Sequence, residues 1–275
     1  MSLNYSESLK PYENKGEVGM PEIYDSPDIL KEKINKLYDL ITSASCIVIY
    51  CGAGISTSSG IADFRGPNGV WTMEKKYKKS ISVSFNEAKP SYTHYALKKL
   101  YDKGIIKFIV SQNVDGLFHR CGFPSSGIAE LHGNVFVERC EVCKRKYYRD
   151  SIIGSIGLKL TGNKCEGTSK GRRCRGKLRD VTLDWDDELP EPDFTMAKKF
   201  SKQADLSIAL GTSLQIEPVG SMPLLAKRKV IDGNFVTINL QATKYEKKAS
   251  LAIHGEVDKV MRALMEKLNI NVDTF

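Results

Sequence analysis

A glycine-rich stretch, Gly52-Ala53-Gly54-Ile55-Ser56-Thr57, follows the apolar run CIVIY at 46–50, with Cys51 between them. Such a turn after a buried strand is typical of a phosphate site, because glycine lets phosphate oxygens reach backbone N–H groups and the following helix adds its dipole. The dinucleotide fingerprint, however, has Gly or Ala where this chain has Thr57, and neither Asp63 nor Glu74 ends an apolar strand as its acidic residue would. The loop therefore departs from the pattern of hydride-transfer dehydrogenases.

The chain continues with Gly60-Ile-Ala-Asp-Phe-Arg-Gly66, which places three different chemistries side by side. Asp63 can accept a hydrogen bond from a carboxamide, Phe64 can shield a ring face, and Arg65 can neutralise a pyrophosphate. Together they suit a pyridinium dinucleotide. The alternative is a solvated surface loop with one ion pair.

Polar or small residues also follow three other apolar runs. Because open parallel sheets bind ligands at the carboxyl ends of their strands, these residues are candidates for the same site. They are Gln112, Asn113 and Asp115 after IKFIV, Gly211, Thr212 and Ser213 after LSIAL, and Asn239 at the end of FVTIN.

His132 lies in Glu130-Leu-His-Gly-Asn134. A single histidine is most often structural, but the polar loops around this one favour a catalytic role. His94, His119 and His254 lack such neighbours, and we expect them to be structural.

Four of the seven cysteines form two pairs, Cys140 with Cys143 and Cys165 with Cys174, separated by 21 residues. Four thiolates suit a tetrahedral structural zinc with no open position, and a short insert needs such a support because its own core is small. A redox C-x-x-C or unpaired packing thiols are the alternatives. Cys46, Cys51 and Cys121 lie in or beside apolar stretches and are expected to be packing residues.

These residues require elements that bring them together. Helical spacing of apolar residues predicts helices after the cap Ser26-Pro27-Asp28, from Ser91 to Lys103 with Gly104 ending it, and over 257–268. Continuous apolar runs predict buried strands at 46–50, 106–110, 206–210 and 235–239. Strands that alternate with helices predict an α/β fold, a Rossmann-like parallel sheet with helices on both faces.

The chain is divided by composition into three parts. Residues 1–25 are polar and predict an extended N-terminal arm. Residues 26–138 and 179–275 carry the strand and helix pattern of the nucleotide-binding domain, whereas 139–178 form a cysteine-rich insert that we interpret as a small zinc-binding domain.

With 275 residues, 41% hydrophobic and 27% charged, the composition is that of a globular enzyme. No apolar run approaches the ~20 residues that span a bilayer. The first residues lack the basic and apolar regions of a secretory signal, so we expect no secretion and a reducing compartment for the thiols.

The net charge of +8 permits a nucleic-acid or acidic partner. Several basic residues fall in the insert, where their loops could meet nucleic-acid phosphates or could be polar because the insert has little core. They are Lys144, Arg145, Lys146, Arg149, Lys170, Arg172, Arg173, Arg175 and Lys177.

The motifs GAGIST, GIADFRGPNGVW, SQNVDGL, ELHGN, the four-cysteine insert, GTSLQI and INLQ occur in the order seen in sirtuins, which the chain resembles over nearly its whole length. The opening segment, GPNGVWT and LDWDDELP resemble the class IV branch, which contains the sixth mammalian sirtuin. The resemblance implies a Rossmann-like domain, a small zinc-binding domain and a cleft between them.

The resemblance also implies roles for individual residues. His132 matches the general base, and Asn113 and Asp115 match residues near the ribose and nicotinamide. Cys140, Cys143, Cys165 and Cys174 match the zinc ligands. Predicted NAD contacts, from the residues and from the resemblance together, are Gly52, Ala53, Gly54, Thr57, Asp63, Phe64, Arg65, Trp71, Gln112, His132, Gly211, Thr212, Ser213, Asn239, Gln241 and Val257.

Two positions depart from the common family pattern. Ala62 stands where most sirtuins have proline, and LDWDDELP replaces an FGE-type segment, as in class IV. That branch is associated with slow deacetylation, removal of long acyl chains and mono-ADP-ribosylation.

The resemblance implies NAD-dependent removal of acyl groups from lysine in proteins such as histones, with nicotinamide and O-acyl-ADP-ribose as products. It also implies a nuclear location, with the cytoplasm as the other expectation. Two other classes remain open: an NAD-dependent oxidoreductase, and a zinc-containing chromatin or nucleic-acid binding module without turnover.

Overall fold

The structure, a computed structural model, describes residues 2–169, 171–226 and 234–273. Lys170, one of the basic residues of the insert, lies outside the described residues. The α-helices are α1 Ser2–Ser8, α2 Pro27–Ser43, α3 Val70–Lys75, α4 Tyr92–Asp102, α5 Leu117–Arg120, α6 Asp193–Gln203 and α7 Val257–Lys267. The strands are β1 Ile47–Cys51, β2 Ile106–Ser111, β3 Ile128–Glu130, β4 Val137–Cys140, β5 Lys146–Tyr148, β6 Leu160–Lys164, β7 Thr168–Ser169, β8 Arg172–Arg173, β9 Lys177–Asp180, β10 Leu206–Leu210, β11 Asn234–Ile238 and β12 Leu251–Ile253.

A six-stranded parallel sheet forms the larger part of the molecule, in the order β12-β11-β10-β1-β2-β3. Alternate residues of β1 face opposite sides, as the period of two in a strand requires. Ile47 and Ile49 pack into a core with α2, α4 and α7, whereas Val48 and Tyr50 pack into a second core with α6. Both faces are therefore covered, and the predicted α/β fold with a parallel sheet is confirmed.

The helix signals in the sequence are also confirmed. α2 begins after Ser26, whose Oγ accepts from the Ile29 N–H, with Pro27 as its first residue. α4 follows the cap Ser91, and Gly104 beyond its end has φ 70°. Among the described residues, no helix is both long enough and apolar enough to cross a membrane.

A second sheet is antiparallel, with four strands in the order β5-β4-β9-β6, and β7 pairs with β8 beside it. The apolar pattern of the sequence does not predict these strands, because most of their residues are exposed. Their apolar cluster consists of Leu178 and the cysteines, while the buried carboxylates of Glu138 and Asp180 accept hydrogen bonds within this part of the chain. The sheet thus surrounds the four thiols and has little other core.

The expectation of an extended N-terminal arm is wrong for its first residues, which form α1. The sequence of α1 has no helical spacing of apolar residues, and the helix is held by contacts with other parts of the chain. The ring of Tyr5 packs edge-on against Phe64 at 6.2 Å between centroids, and Ser6 Oγ accepts from Trp71 Nε1 at 3.1 Å. Further along, Tyr12 stacks on Trp185 at 4.4 Å.

Candidate active site

A cavity of about 260 Å³ opens at the carboxyl ends of the parallel strands. Five of the six strands, β1, β2, β3, β10 and β11, lead into it within two residues of their ends. The predicted residues that line it are Gly52, Ala53, Gly54, Asp63, Phe64, Arg65, Trp71, Gln112, Asn113, Asp115, His132, Gly211, Thr212, Ser213, Asn239 and Gln241. The structure thus brings the segments that follow β1, β2, β10 and β11, together with His132, into one site.

Two predicted cofactor residues do not line the cavity. Thr57 is exposed and its Oγ1 donates to the Gly54 carbonyl at 3.1 Å. Val257 begins α7 and is buried in the core beneath the sheet. Their contact with a cofactor stays a prediction.

The glycines of the first loop have a packing role that the sequence does not predict, and their contact with a cofactor stays a prediction. The Gly54 N–H donates to the Gly211 carbonyl at 2.8 Å, so it is not free for a phosphate. A Cβ on Gly54 would lie 2.7 Å from Gly211 Cα, and one on Gly52 would lie 2.6 Å from Thr212 Cβ. The glycines let two cavity loops pack together.

The expected helix after this loop is also absent from the described structure. Residues Ala53–Ile55 and Thr57–Ser59 form two single 3₁₀ turns. Turns this short align few peptide dipoles, so the helix-dipole argument for phosphate binding is wrong here. Arg65 is the charge that remains for an anionic ligand.

Gly54→Ala tests the packing of the two loops. The added methyl meets backbone that cannot move aside, and overpacking of this kind lowers the free energy of unfolding by about 1–3 kcal/mol. We expect a lower Tm in thermal unfolding and weaker NAD binding in calorimetry. Gly255→Ala is the matched control, since its Cβ would meet only side-chain ends, the nearest at 3.2 Å. Equal effects in both variants would contradict this role of Gly54.

The loop with Asp63 and Arg65 presents one acceptor and one cation to the cavity. Asp63 Oδ1 accepts from the Gly66 N–H at 3.1 Å, while burial raises the pKa of the carboxyl. Arg65 Nε donates to the Lys15 carbonyl at 2.9 Å, and its guanidinium lies 4.6 Å from the centroid of the Trp71 ring.

Arg65 Nη2 is a buried donor without a hydrogen-bond partner among the described residues. Burial lowers the pKa of Arg65 to about 10, so the guanidinium is still charged at neutral pH. A buried, charged donor without a partner fits an anionic ligand such as a pyrophosphate.

The loop after β2 is fixed by buried hydrogen bonds. Asn113 Nδ2 donates to the Gly52 carbonyl at 3.1 Å, and Ser56 Oγ donates to Asp115 Oδ2 at 2.7 Å. The Leu117 N–H donates to Asp115 Oδ1 at 3.0 Å. These bonds join the loop after β2 to the loop after β1 and fix the position of each loop relative to the other.

His132 is half-buried in the cavity wall, and its backbone is fixed by the start of the segment after β9. Its carbonyl accepts from the Leu183 N–H at 3.0 Å. Gly133, at φ 87°, lies so close to the Val181 carbonyl that no side chain would fit. Burial lowers the pKa of His132 to about 4, although a hydrogen bond to the Gln112 backbone raises it. The imidazole is therefore neutral at pH 7 and able to accept a proton.

The cavity also has lining residues that the sequence does not predict. Tyr5 and Leu9 come from the N-terminal segment, others come from 183–189 and 216–218, and Ile61, Phe85 and Val114 lie between these segments in the chain. The apolar members among them are Tyr5, Leu9, Ile61, Phe85, Val114, Leu183, Trp185, Leu189 and Ile216, and the acidic ones are Asp184, Asp187 and Glu217. The aromatic residues Tyr5 and Tyr12 in an otherwise polar segment were the available signal.

The four predicted metal ligands, Cys140, Cys143, Cys165 and Cys174, lie together, with all Sγ atoms within 4.8 Å of one another. Cys140 and Cys174 have Sγ atoms 3.7 Å apart, and those of Cys143 and Cys165 are 3.5 Å apart. A tetrahedron with Zn–S bonds of ~2.3 Å has S···S edges of ~3.8 Å. The donor set therefore fits zinc.

Backbone groups support the thiols as thiolates. The N–H groups of Val142 and Cys143 both donate to Cys140 Sγ at 3.4 Å, and the Gly167 N–H donates to Cys165 Sγ at 3.4 Å. Donors of this kind stabilise a negative sulfur. Cys46, Cys51 and Cys121 lie outside the cluster, as expected for packing residues.

A profile described as the Sir2 family matches residues 73–218. The chain is 47% identical over 277 residues to "NAD-dependent protein deacetylase SRT1" of Oryza sativa subsp. indica, covering 100% of this chain and 56% of that protein. It is 44% identical over 279 residues to "NAD-dependent protein deacetylase Sirt6" of Drosophila melanogaster, covering 100% of this chain and 87% of that protein. The chain thus spans little more than half the length of the rice relative.

The fold is similar to that of a Sir2 variant solved with a deacetylated p53 peptide and 3′-O-acetyl-ADP-ribose. The TM-score is 0.67 at 30% sequence identity, covering 86% of this chain and 99% of that chain.

Proposed function

Because the chain belongs to the Sir2 family, we propose that it is an NAD-dependent protein-lysine deacylase. It transfers the acyl group of an acyl-lysine peptide to ADP-ribose and releases nicotinamide and free lysine. One observation carries the proposal: a neutral His132 shares a single cavity with the Asp63–Arg65 loop and with the loop that holds Asn113 and Asp115.

NAD supplies the ADP-ribosyl group that receives the acyl chain. The charged Arg65, with its buried free donor, binds the pyrophosphate, and Asp63 accepts a hydrogen bond from the carboxamide. Phe64 covers a ring face. Gly211, Thr212, Ser213 and Asn239 end two further strands at the cavity and serve the phosphates and ribose hydroxyls. Trp71 and Gln241 complete this wall.

His132 acts as the general base. Nicotinamide would first leave as the acyl oxygen bonds to the ribose carbon. The neutral His132 ring would then accept a proton from a ribose hydroxyl, whose oxygen bonds to the acyl carbon. Water would supply the remaining oxygen as the lysine nitrogen leaves that carbon as a free amine. Asn113 and Asp115 lie beside the ribose and nicotinamide, with their side chains held by hydrogen bonds to the Gly52 carbonyl and the Ser56 hydroxyl.

Zinc on the four cysteines has a structural role. Four protein thiolates fill a tetrahedral site and leave no open position for substrate or water. The division into an NAD-binding domain, residues 26–138 with 179–275, and a zinc-binding domain, residues 139–178, is part of this proposal. The structure's second sheet supports it, because that sheet surrounds the thiols.

The substrate is an acyl-lysine in a basic protein segment. The apolar wall formed by Ile61, Phe85, Val114 and Leu189 suits an aliphatic acyl chain, and longer chains bury more apolar surface. The carboxylates of Asp184 and Asp187 at the cavity favour neighbouring lysine or arginine and disfavour an acidic acyl group. By analogy with the class IV branch, the proposal includes histones as substrates, a nuclear location and mono-ADP-ribosylation as a second activity.

Mass spectrometry of the reaction products tests the function. With NAD and acetyl-lysine or myristoyl-lysine peptide, we expect free nicotinamide and O-acyl-ADP-ribose in equal amounts, with no reduced nicotinamide by absorbance. A succinyl-lysine peptide is the matched control and should react at least ~10-fold more slowly, because its carboxylate faces those of the cavity. Reduced nicotinamide would support the oxidoreductase instead, and no NAD consumption would support a binding module.

A second candidate function is contact with chromatin or DNA through the small sheet. Arg172, Arg173 and Arg175 are exposed near the cysteine cluster, and their guanidinium groups suit phosphates. This contact is compatible with catalysis, because these arginines do not line the cavity.

A further inference from the structure

A loop outside the cavity carries four lysines within five residues and a tyrosine between them. In Lys75-Lys76-Tyr77-Lys78-Lys79 every residue is exposed, and the Tyr77 side chain is 99% exposed. None of the four ammonium groups has an ion pair among the described residues, while the neighbouring Glu74 is paired with Lys15. The loop is therefore a concentrated positive charge around a bare aromatic ring.

The ring of Tyr77 has no packing role in the fold. Its φ is 54°, in the left-handed region that favours glycine and that a bulky residue adopts at an energetic cost. The left-handed backbone itself serves to end α3, because the Tyr77 N–H donates to the Glu74 carbonyl and the Lys78 N–H donates to the Met73 carbonyl, both at 2.9 Å. The ring has no such role, since it is almost fully exposed.

The stem of the loop is firmly anchored, so the ring is presented outward and not merely loose. Ser80 is buried, and its Oγ donates to the Asn68 carbonyl at 2.7 Å. Ser82 Oγ accepts from the Ala62 N–H at 3.0 Å, and the Val83 N–H donates to the Gly60 carbonyl at 2.8 Å. The tip also closes a turn, in which the Tyr77 N–H donates to the Glu74 carbonyl at 2.9 Å.

We propose that residues 75–79 bind single-stranded nucleic acid, with the lysines on phosphates and Tyr77 stacked on an unpaired base. Lysines that follow a backbone and an aromatic ring that stacks on bases are the two components of such sites. A membrane surface fits less well, because the loop lacks the apolar face of an interfacial helix. An acidic protein would use the charges but not the exposed ring.

Fluorescence anisotropy with the full chain and a labelled oligothymidylate of about 16 nucleotides tests the site. We expect Tyr77→Ala to weaken binding at least ~5-fold and Tyr77→Phe to preserve it, because phenylalanine keeps the stacking face. Changing all four lysines (Lys75→Gln, Lys76→Gln, Lys78→Gln and Lys79→Gln) should reduce the slope of log affinity against log salt by up to about 3.

Matched controls separate this site from general positive charge. The variant Lys31→Gln, Lys103→Gln, Lys199→Gln, Lys202→Gln removes the same charge from exposed positions elsewhere and should leave the slope unchanged. Tyr77→Gly should keep or raise the Tm, since glycine suits the backbone, and still lose binding. Unchanged binding by Tyr77→Ala, equal loss in the control, or stronger binding to duplex DNA or anionic vesicles would overturn the proposal.

Discussion

His132→Tyr is expected to lower the rate of deacylation by about 10²–10⁴-fold while the chain keeps its fold, because the general base is lost. The ring of His132 lies in the cavity, and its backbone is held by the bond from Leu183 to its carbonyl, which the substitution leaves in place. His132→Ala removes the base without adding volume and should lose as much activity. Initial rates with acetyl-lysine and myristoyl-lysine peptides measure the effect.

The pH profile gives a second readout of the same base. Burial lowers the pKa of His132 from 6.5 to about 4, so the ring becomes protonated only in that lower range. The acid limb of kcat/KM that belongs to His132 should therefore lie near pH 4 and be absent from the variant. The same pKa shift makes the free energy of unfolding depend on pH. The unfolded histidine takes up its proton near pH 6.5 and the folded one only near 4, so the folded chain loses stability as the pH falls between these values.

His119→Tyr is the matched control for this substitution. His119 is exposed, stacks on Tyr148 at 4.0 Å between ring centroids, and does not line the cavity. It should retain full activity. Undiminished turnover by His132→Tyr with an unchanged Tm would remove His132 from the mechanism.

Cys143→Ser is expected to remove the metal, unfold the small sheet and abolish deacylation. Apparent binding energies of structural zinc reach about 10–16 kcal/mol in small peptides. That range is comparable with the whole stability of a domain, about 5–15 kcal/mol, and the small sheet has almost no core besides its thiols. Elemental analysis should give one zinc per chain for the parent protein and much less for the variant.

We expect loss of the metal to lower the deacylation rate, because the cysteine cluster is connected to the His132 loop by a short segment of the chain. Cys174 lies three residues before β9, and β9 leads directly to Val181 and Leu183. Leu183 donates to the His132 carbonyl, and Val181 packs on Gly133. When the sheet unfolds, the loop of the general base loses this support.

Cys46→Ser is the control, since Cys46 lies outside the cluster and is half-buried. It should keep both zinc and activity. A Cys143→Ser protein with full zinc content, or a metal-free protein with full activity, would contradict a structural metal on these four cysteines.

The parallel sheet could be predicted from sequence because its signals are local. β1, β2, β10 and β11 are continuous apolar runs, which only strands buried on both faces need. The polar residues that follow these runs then had to meet at one edge. For the same reason the meeting of Gln112, Gly211 and Asn239 was predictable.

The small sheet and α1 could not be predicted in this way. β5, β6 and β8 are mostly exposed, so their sequences lack alternation, and their pairing depends on the cysteine cluster. α1 is seven residues long, below the length at which helices persist alone, and it depends on Phe64 and Trp71.

The packing role of Gly52 and Gly54 could not be predicted from the sequence either. A phosphate loop and a loop packed tightly against another loop require the same small residue. Only the structure shows that Gly54 approaches Gly211 this closely.

The N-terminal segment has a practical consequence for work with the purified protein. Because Tyr5 and Leu9 form part of the cavity wall, we expect an affinity tag on the N-terminal segment to alter the apparent KM. No residue of α7 lines the cavity, and that helix packs on the far side of the sheet against α2 and α4. We therefore expect a tag at the carboxyl end, or one cleaved before the assay, to leave the measured kcat and KM unchanged.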